Sequence, residues 1–190
     1  MIDYLRTADQ FLFRLINQQG HFNIADWMMP FFRNPYFWSP LYLFMLSYLF
    51  LNFPKQAWKL LAYVLFTFAL TDLISTQIFK AFIFRPRPCW DFSALNQVRM
   101  LIPCSTGNGF VSSHAANHFG LSTFLFIALR DLTGKRYRLL FIWAALICYA
   151  QVYVGAHYPG DVLGGAALGI LLGFLSARTY LARKSINAPA

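Results

Sequence analysis

Three short clusters in this sequence combine residue types that can move a phosphoryl group. The clusters are Lys80 with Arg87-Pro88, then Ser112-Ser113-His114, then His157 with Asp161 four residues on. Phosphoryl transfer needs positive charge and hydrogen-bond donors around the phosphate oxygens, together with a proton donor for the leaving oxygen. A covalent route also needs a nucleophile. The clusters provide all of these, and each one borders a long apolar run.

Lys80 and Arg87 are the predicted phosphate ligands of the first cluster. Arg87 stands between Pro86 and Pro88, whose fixed φ angles stiffen the segment that carries it. Taken alone, this pattern is more typical of two interfacial cations whose charged ends reach water. Because the other two clusters occur in the same sequence, the phosphate-binding interpretation is favoured.

The second cluster precedes an apolar run, where a helix is expected to begin. A helix start offers free backbone N–H groups and a positive dipole end, both suited to an anion. Ser112 or Ser113 is equally explained as a simple N-cap, which is compatible with phosphate binding. His114 is a candidate general acid for the leaving oxygen, although a single interfacial histidine is more often structural.

His157 and Asp161 flank a tight Tyr158-Pro159-Gly160 connection. Asp161 can accept a proton from one ring nitrogen of His157, which would leave the other nitrogen free to attack phosphorus. The alternative is that Asp161 caps the helix that follows.

His118 and Asp72 are two further polar residues that lie inside apolar runs. His114 and His118 are four residues apart and could face one metal ion, but no carboxylate or Cys of suitable spacing joins them. We therefore predict no metal site, and we expect His118 with Asn117 to form hydrogen bonds beside the phosphate site. Asp72 is either functional or bonded to polar side chains of a neighbouring helix.

The composition is that of a membrane protein. Of 190 residues, 58% are hydrophobic and 12% are charged, whereas soluble domains carry about 25% charge. The net charge is +9, but the cations are spread over loops without a dense basic tract, which favours lipid headgroups over nucleic acid as partner. No cleavable signal peptide is apparent at the start of the sequence.

The apolar runs predict an all-α fold, an integral membrane helical bundle of about five to six transmembrane helices. The predicted spans are Tyr36–Phe53, Trp58–Phe84, His114–Leu129, Leu139–Ala156 and Val162–Leu181. We treat 1–190 as one domain, with interfacial helices in 1–35 and the transmembrane core in 36–182, although the first segment could also span. Pro30 is expected to limit a short helix there. Small residues at Gly165, Gly169 and Gly173 predict close helix packing.

The loops differ in charge on the two predicted faces. One face carries Lys55, Lys59, Arg130, Lys135, Arg136, Arg138, Arg178, Arg183 and Lys184 against Asp131. The positive-inside rule puts this face in the cytoplasm, so the three clusters would face the periplasm or the outside. On that side Cys89 and Cys104 share the longest loop, where a disulfide could persist and brace Arg87. Two unpaired loop thiols are the alternative, and Cys148 should be a free core thiol.

The three clusters resemble the motifs of the type 2 phosphatidic acid phosphatases, a family related to the vanadium-dependent haloperoxidases. Lys80 and Arg87-Pro88 match its Lys, six residues, Arg-Pro motif, and Val111-Ser112-Ser113-His114 partly matches Pro-Ser-Gly-His. His157 and Asp161 match the second half of Ser-Arg, five residues, His, three residues, Asp. The resemblance implies that His157 forms a phosphohistidine and Asp161 orients it. His114 would protonate the leaving group, and Lys80, Arg87, Ser112 and Ser113 would hold the phosphate without a metal or other cofactor.

The sequence departs from that family at the arginine of the third motif. Gln151 stands at this position, preceded by Ala150 in place of serine. Gln151 can donate hydrogen bonds but carries no charge. Arg85 and Arg99 are candidates to supply the missing cation.

The expected activity is metal-independent hydrolysis of a lipid phosphate or diphosphate in a bacterial inner membrane. A polyprenyl diphosphate or the 1-phosphate of lipid A is favoured, because an outward-facing site suits envelope precursors. Phosphatidylglycerophosphate and phosphatidic acid remain open. The alternative is a non-catalytic lipid-binding or transport protein on the same scaffold.

Overall fold

A computed structural model of the protein describes residues 2–91 and 98–186, and all regular structure in these ranges is helical. The α-helices are α1 (Ile2–Arg14), α2 (Asn23–Phe32), α3 (Ser39–Asn52), α4 (Pro54–Leu73), α5 (Lys80–Phe82), α6 (Ser113–Thr133), α7 (Leu139–Tyr153) and α8 (Pro159–Ile186). Two π-helical turns, Leu15–Gln19 and Ile74–Phe79, extend α1 and join α4 to α5. Short 3₁₀ turns cover Pro35–Trp38 and Pro88–Trp90.

The predicted spans correspond to helical segments whose ends differ from those expected. Helix α4, which corresponds to the second predicted span, begins at Pro54, and α8, which corresponds to the fifth, begins at Pro159. Both helices begin several residues earlier than predicted. Proline is favoured at a first helical position because its missing N–H is unpaired there anyway. Pro30 does not end α2, which continues to Phe32. At the C-terminal ends, Gly134 stops α6 with a φ of 71°.

The glycine stripe of α8 packs against α6, as predicted. A Cβ atom added to Gly165 would lie 2.4 Å from the Ser112 carbonyl oxygen. At Gly169 it would lie 2.3 Å from the carbonyl oxygen of Ala116. Side chains of any size are excluded at these distances, so the two backbones meet directly and hold the start of α6 against the start of α8.

The other end of the bundle is closed by a cluster of buried apolar side chains. Leu60 of α4, Phe124 and Ala128 of α6, and Tyr180 of α8 contact one another there. The helices that carry the three motifs are therefore clamped together at their far ends by ordinary apolar packing.

Within the described residues, two helical segments, Pro54–Phe82 and Pro159–Arg183, are long and apolar enough to cross a membrane. In the first of them only 22% of the most apolar window is buried inside the protein, unlike the core helix of a soluble domain. Leu43, Phe44 and Leu163 are more than half exposed. Apolar surface of this kind indicates contact with lipid. At 14 and 15 residues, α3 and α7 are shorter than the ~20 residues of an ordinary span.

The N-terminal helices pack onto the loops between the longer helices. The Asn17 side chain is fully buried and donates to the carbonyl oxygens of Arg99 at 2.8 Å and Tyr153 at 2.7 Å. Its own oxygen accepts the Arg99 backbone N–H at 2.8 Å. Phe13 packs edge-on against Tyr158. The N-terminal segment thus supports the loop that carries His157.

Candidate active site

Lys80 and Arg87 approach each other at the end of the α4–α5 segment. A π-helical turn, Ile74–Phe79, immediately precedes Lys80 and resets the direction in which the following side chains point. Asn108 donates to the Lys80 carbonyl oxygen at 2.7 Å and so ties the long loop to this helix end. The Lys80 ammonium interacts electrostatically with Arg87 and with Asp161. The first motif therefore reaches the third.

Arg87 is buried and points at His157. Its Nη1 donates to the Ala156 carbonyl oxygen at 3.2 Å and lies 3.1 Å from Nε2 of His157. Its Nε donates to the carbonyl oxygen of Gly107 at 3.3 Å. Burial lowers the pKa of the Arg87 guanidinium, and the charge of Asp161 opposes that change. The guanidinium is thus held in a fixed position against the His157 ring.

The contact with Arg87 determines which nitrogen of His157 carries the proton. An arginine Nη1 can only donate, so Nε2 of His157 must be the unprotonated nitrogen that accepts. The proton then lies on Nδ1, which faces Oδ2 of Asp161 at 3.5 Å. Burial lowers the pKa of His157, an effect that the Asp161 carboxylate opposes and the charge of Arg87 reinforces. The ring is therefore neutral, with its lone pair on the side of the two cations.

Asp161 combines both roles that the sequence left open. Its Oδ2 accepts the backbone N–H of Tyr158 at 3.0 Å, the reach-back bond by which an acid in the first turn caps its own helix. The same carboxylate faces His157, and its backbone carbonyl accepts the Ser112 N–H at 2.9 Å. A Cβ atom on Gly109 would lie 3.0 Å from Oδ2, so the long loop passes closely over this group.

The second cluster begins α6 beside this pair. Ser112 is the N-cap of α6, and its Oγ accepts from the Ala115 N–H at 3.5 Å. The Ser113 Oγ is buried and has no hydrogen-bond partner within the described residues. The His114 ring interacts electrostatically with His157 and with Lys80. The structure thus brings Ser113 and His114 to the same place as the other two motifs.

His118 lies one helical turn deeper than His114. Its Nδ1 is 2.8 Å from the His114 carbonyl oxygen, and its ring packs edge-on against Trp143. Asn117 instead donates to Asp72 at 3.0 Å and accepts from Thr71 at 2.8 Å, which gives the carboxylate of α4 a polar partner on α6. Across residues 2–91 and 98–186, no three His, Cys, Asp or Glu side chains group closely enough to hold a metal ion.

A disulfide joins Cys89 and Cys104, as predicted, with a Cα–Cα distance of 6.1 Å. It closes the long loop directly after Arg87. Cys148 is free and buried.

The family model of the PAP2 superfamily matches residues 56–185. The chain belongs to the PAP2 superfamily. A lipid A 4'-phosphatase of Bacteroides thetaiotaomicron is 33% identical over 184 residues, covering 92% of this chain and 78% of the relative. An undecaprenyl-diphosphatase, BcrC of Bacillus subtilis, is 28% identical over 88% of this chain and 81% of its own length.

The fold agrees with the same family. The crystal structure of LpxE from Aquifex aeolicus superposes with a TM-score of 0.65 at 28% identity, over 89% of this chain and 94% of that one. The protein is therefore an all-helical PAP2 membrane phosphatase.

Neither arginine that the sequence offered as the missing PAP2 cation is turned toward His157. Arg85 forms ion pairs with Asp9 and with Asp161, the latter at 2.9 Å from Nη1 to Oδ1. Arg99 pairs with Asp26. Both guanidiniums are neutralised by carboxylates, and Arg85 lies behind the His157–Asp161 pair as part of its support.

Sequence reasoning missed two polar residues of the N-terminal helices that support the PAP2 motifs. Asp9 receives the Gly160 backbone N–H at 2.7 Å and pairs with Arg85, so it fixes the turn before Asp161. Asn17 joins α1 to the loops described above. Both residues lie in amphipathic segments, where polar side chains are expected to face lipid headgroups. No local sequence pattern distinguishes Asp9 and Asn17 from the other polar residues of these segments.

Proposed function

We propose that this PAP2 phosphatase removes a phosphate monoester from a lipid A-type glycolipid through a phosphohistidine at His157. The observation that carries the chemistry is the 3.1 Å distance between Nη1 of Arg87 and Nε2 of His157, which makes Nε2 the unprotonated nitrogen of the ring. A nucleophile and an anion-binding cation thus face the same space.

The first chemical step would form a bond between phosphorus and Nε2 of His157. The P–O bond to the lipid breaks as this bond forms. The negative charge of the bound phosphate stabilises His114 in its protonated form, against the neighbouring cations, and His114 then donates a proton to the leaving oxygen so that the lipid departs as an alcohol. As the imidazole bonds phosphorus it becomes cationic, and the Asp161 carboxylate at 3.5 Å from Nδ1 stabilises that charge. Lys80, Arg87 and the start of α6 bind the phosphate oxygens.

The second step would release inorganic phosphate. His114, now neutral, takes a proton from water as the water attacks phosphorus, and the P–N bond breaks to return the electron pair to Nε2. Every charge needed in both steps is carried by side chains of this chain.

The choice of lipid rests on three considerations. The relative from Bacteroides thetaiotaomicron is named for the 4'-phosphate of lipid A, which favours that position over the 1-phosphate expected from the sequence. Apolar side chains of the second helix and the following turn, Trp27, Met28, Phe31, Phe32 and Phe37, line a groove that suits an acyl chain. Because loop charge favours a periplasmic site, a glycolipid exposed on that side of the inner membrane is a suitable substrate.

A second candidate is a polyprenyl diphosphate, favoured by the similarity to BcrC. Its terminal phosphoryl group presents the same oxygens to the site, with a phosphate as leaving group. The chemistry at His157 would be identical.

The test is phosphate release by the purified protein in detergent from lipid A 4'-phosphate, lipid A 1-phosphate, undecaprenyl diphosphate and phosphatidic acid. We expect the fastest release from the lipid A 4'-phosphate, unchanged by a chelator and lost in His157→Ala. Faster release from undecaprenyl diphosphate would move the assignment to the second candidate. Lipid binding without release from any of the four would support the non-catalytic alternative and overturn the proposal.

A further inference from the structure

Arg33 reaches the site from a helix that none of the three motifs includes. It is the C-terminal cap residue of α2, and its Nε donates to Oε1 of Gln151 on α7 at 3.4 Å. An arginine Nε can only donate, so the amide oxygen of Gln151 must be the atom that faces it. The Nε2 group of Gln151 consequently points away from Arg33.

That Nε2 group is a donor without an acceptor. Gln151 is fully buried, and within residues 2–91 and 98–186 its Nε2 has no hydrogen-bond partner. A buried donor left unpaired destabilises the fold, so such groups are rare in folded proteins unless a ligand or water satisfies them. Gln151 also holds the nucleophile loop, because its backbone carbonyl accepts the N–H groups of Ala156 at 3.0 Å and His157 at 3.3 Å.

Arg33 interacts electrostatically with one residue of the first motif and one of the second. Its charge acts on the His114 ring, and the charge of Arg87 acts on Arg33. Burial and that repulsion lower the pKa of Arg33. None of the ion pairs within the described residues includes Arg33, in contrast to Arg85 and Arg99.

Two partly buried guanidiniums that repel each other are destabilised until an anion lies between them. Arg33 is nevertheless kept in place by its surroundings. Its backbone N–H donates to the Met29 carbonyl oxygen at 3.2 Å, and Trp38 Nε1 donates to the carbonyl oxygen of Phe32 at 2.7 Å. These two bonds fix the backbone that carries Arg33, and the bond from Nε to Oε1 of Gln151 holds the guanidinium. A cation positioned before the ligand arrives is the arrangement that stabilises charge in a transition state most efficiently.

We propose that Arg33 is a third phosphate-binding cation of this site, contacting a non-bridging oxygen of the phosphoryl group together with Lys80 and Arg87. Gln151 is its positioning residue, and Nε2 of Gln151 donates to the same anion. The inference deepens the proposed function and rests on it for the identity of the anion. The inference also gives a physical role to Gln151, which stands where the PAP2 motif has arginine. The positive charge of that arginine would be supplied by Arg33 of α2 instead of by a residue of α7.

The test measures binding of inorganic phosphate to the whole protein in detergent by calorimetry, and kcat and KM on the lipid substrate. The variants are Arg33→Gln, which removes the charge, and Arg33→Lys, which keeps the charge but loses the planar fork. Arg136→Gln is the matched control, since it removes the same charge from an exposed position in the loop between α6 and α7.

We expect Arg33→Gln to weaken phosphate binding at least tenfold and to lower kcat by roughly 10²–10³-fold, the usual effect of removing one donor that stabilises a transition state. Arg33→Lys should fall between Arg33→Gln and the wild type, and Arg136→Gln should match the wild type in both measurements. A role in packing alone would instead lower the melting temperature of Arg33→Gln and leave phosphate binding by the folded fraction unchanged.

Moving the charge back to α7 gives an independent check. Gln151→Arg places two guanidiniums side by side and should reduce turnover, whereas the double variant Arg33→Gln/Gln151→Arg should recover at least tenfold over Arg33→Gln. Phosphate affinity of Arg33→Gln and Arg33→Lys within twofold of the wild type would overturn the inference. Because phosphate binding needs no turnover, that result can be told apart from a wild type that hydrolyses no lipid, which would overturn the proposed function.

Discussion

Asp161→Asn is the most informative single substitution in the nucleophile pair, because it preserves shape and removes one acceptor. Three donors converge on the carboxylate: the Tyr158 N–H at 3.0 Å, Nη1 of Arg85 at 2.9 Å, and Nδ1 of His157 at 3.5 Å. An asparagine has one oxygen for these three donors, so its NH₂ group must face at least one of them.

Either orientation of the amide disturbs the nucleophile. With its NH₂ toward His157, the ring must accept at Nδ1 and carry its proton on Nε2, which removes the lone pair that attacks phosphorus. With its NH₂ toward Arg85, the cation loses a partner and the imidazolium of the intermediate loses a stabilising charge. Enzymes in which a buried aspartate fixes a catalytic histidine lose about 10⁴-fold in kcat on this change, or about 5.5 kcal/mol.

The assay is steady-state phosphate release at saturating lipid, with the melting temperature recorded for each variant. We expect Asp161→Asn to lower kcat by roughly 10³–10⁴-fold while KM changes little. Asp131→Asn, at the far end of the bundle, should match the wild type. A folded Asp161→Asn protein that retains more than a tenth of wild-type kcat would refute the tautomer argument.

Three further outcomes follow from the geometry. On the acid side, kcat/KM should begin to fall only below pH 6.5, the ordinary histidine pKa. Burial and the charge of Arg87 lower the pKa of His157, and the neutral ring is the active form. Activity on this side is therefore lost as pH falls through that lowered value. Gly169→Ala should destabilise the fold by about 1–3 kcal/mol, since its Cβ would lie 2.3 Å from the Ala116 carbonyl oxygen, and thermal unfolding in detergent measures this. Cys89→Ser should lower the melting temperature and kcat/KM together, because a disulfide closing a loop of about 15 residues is worth about 3 kcal/mol and this one follows Arg87.

Matched variants separate these effects from general damage. Ala167→Val adds volume on the exposed side of α8 and should leave the melting temperature unchanged, unlike Gly169→Ala. Cys148→Ala removes the free thiol and should leave kcat/KM close to that of the wild type. An acid limb above pH 6.5, a harmless Gly169→Ala, or a Cys89→Ser protein as stable and active as the wild type would each contradict the corresponding argument.

Features that depend on short sequence patterns, such as apolar runs, a glycine repeat and a cysteine pair, were predicted from the sequence. The all-helical membrane fold, the packing role of the α8 glycines and the Cys89–Cys104 disulfide are confirmed. Motif spacing also predicted which side chains meet, because each cluster borders an apolar helix and the glycine stripe forces two of those helices together.

Residues whose contacts depend on long-range packing could not be recognised from the sequence. Asp9, Asn17 and Arg33 belong to N-terminal helices whose polar positions look the same whether they face headgroups or the site. Arg85 was one of two candidates for the missing cation. It pairs with Asp9 and Asp161, and only the folded position of α1 makes the first of those contacts available. The predicted helix starts were wrong where a proline begins the helix, because the helical backbone starts at the proline and the apolar residues start a few positions later.

The central claim, a covalent bond between phosphorus and His157, is tested most directly by trapping the intermediate. Protein mixed with substrate labelled in the phosphoryl group is quenched in alkali, where phosphohistidine is stable, and the labelled peptide is sequenced by mass spectrometry. The expected result is one phosphate on the peptide that contains His157, absent in His157→Ala. Label on Ser112 or Ser113, or turnover by His157→Ala at the wild-type rate, would contradict the mechanism.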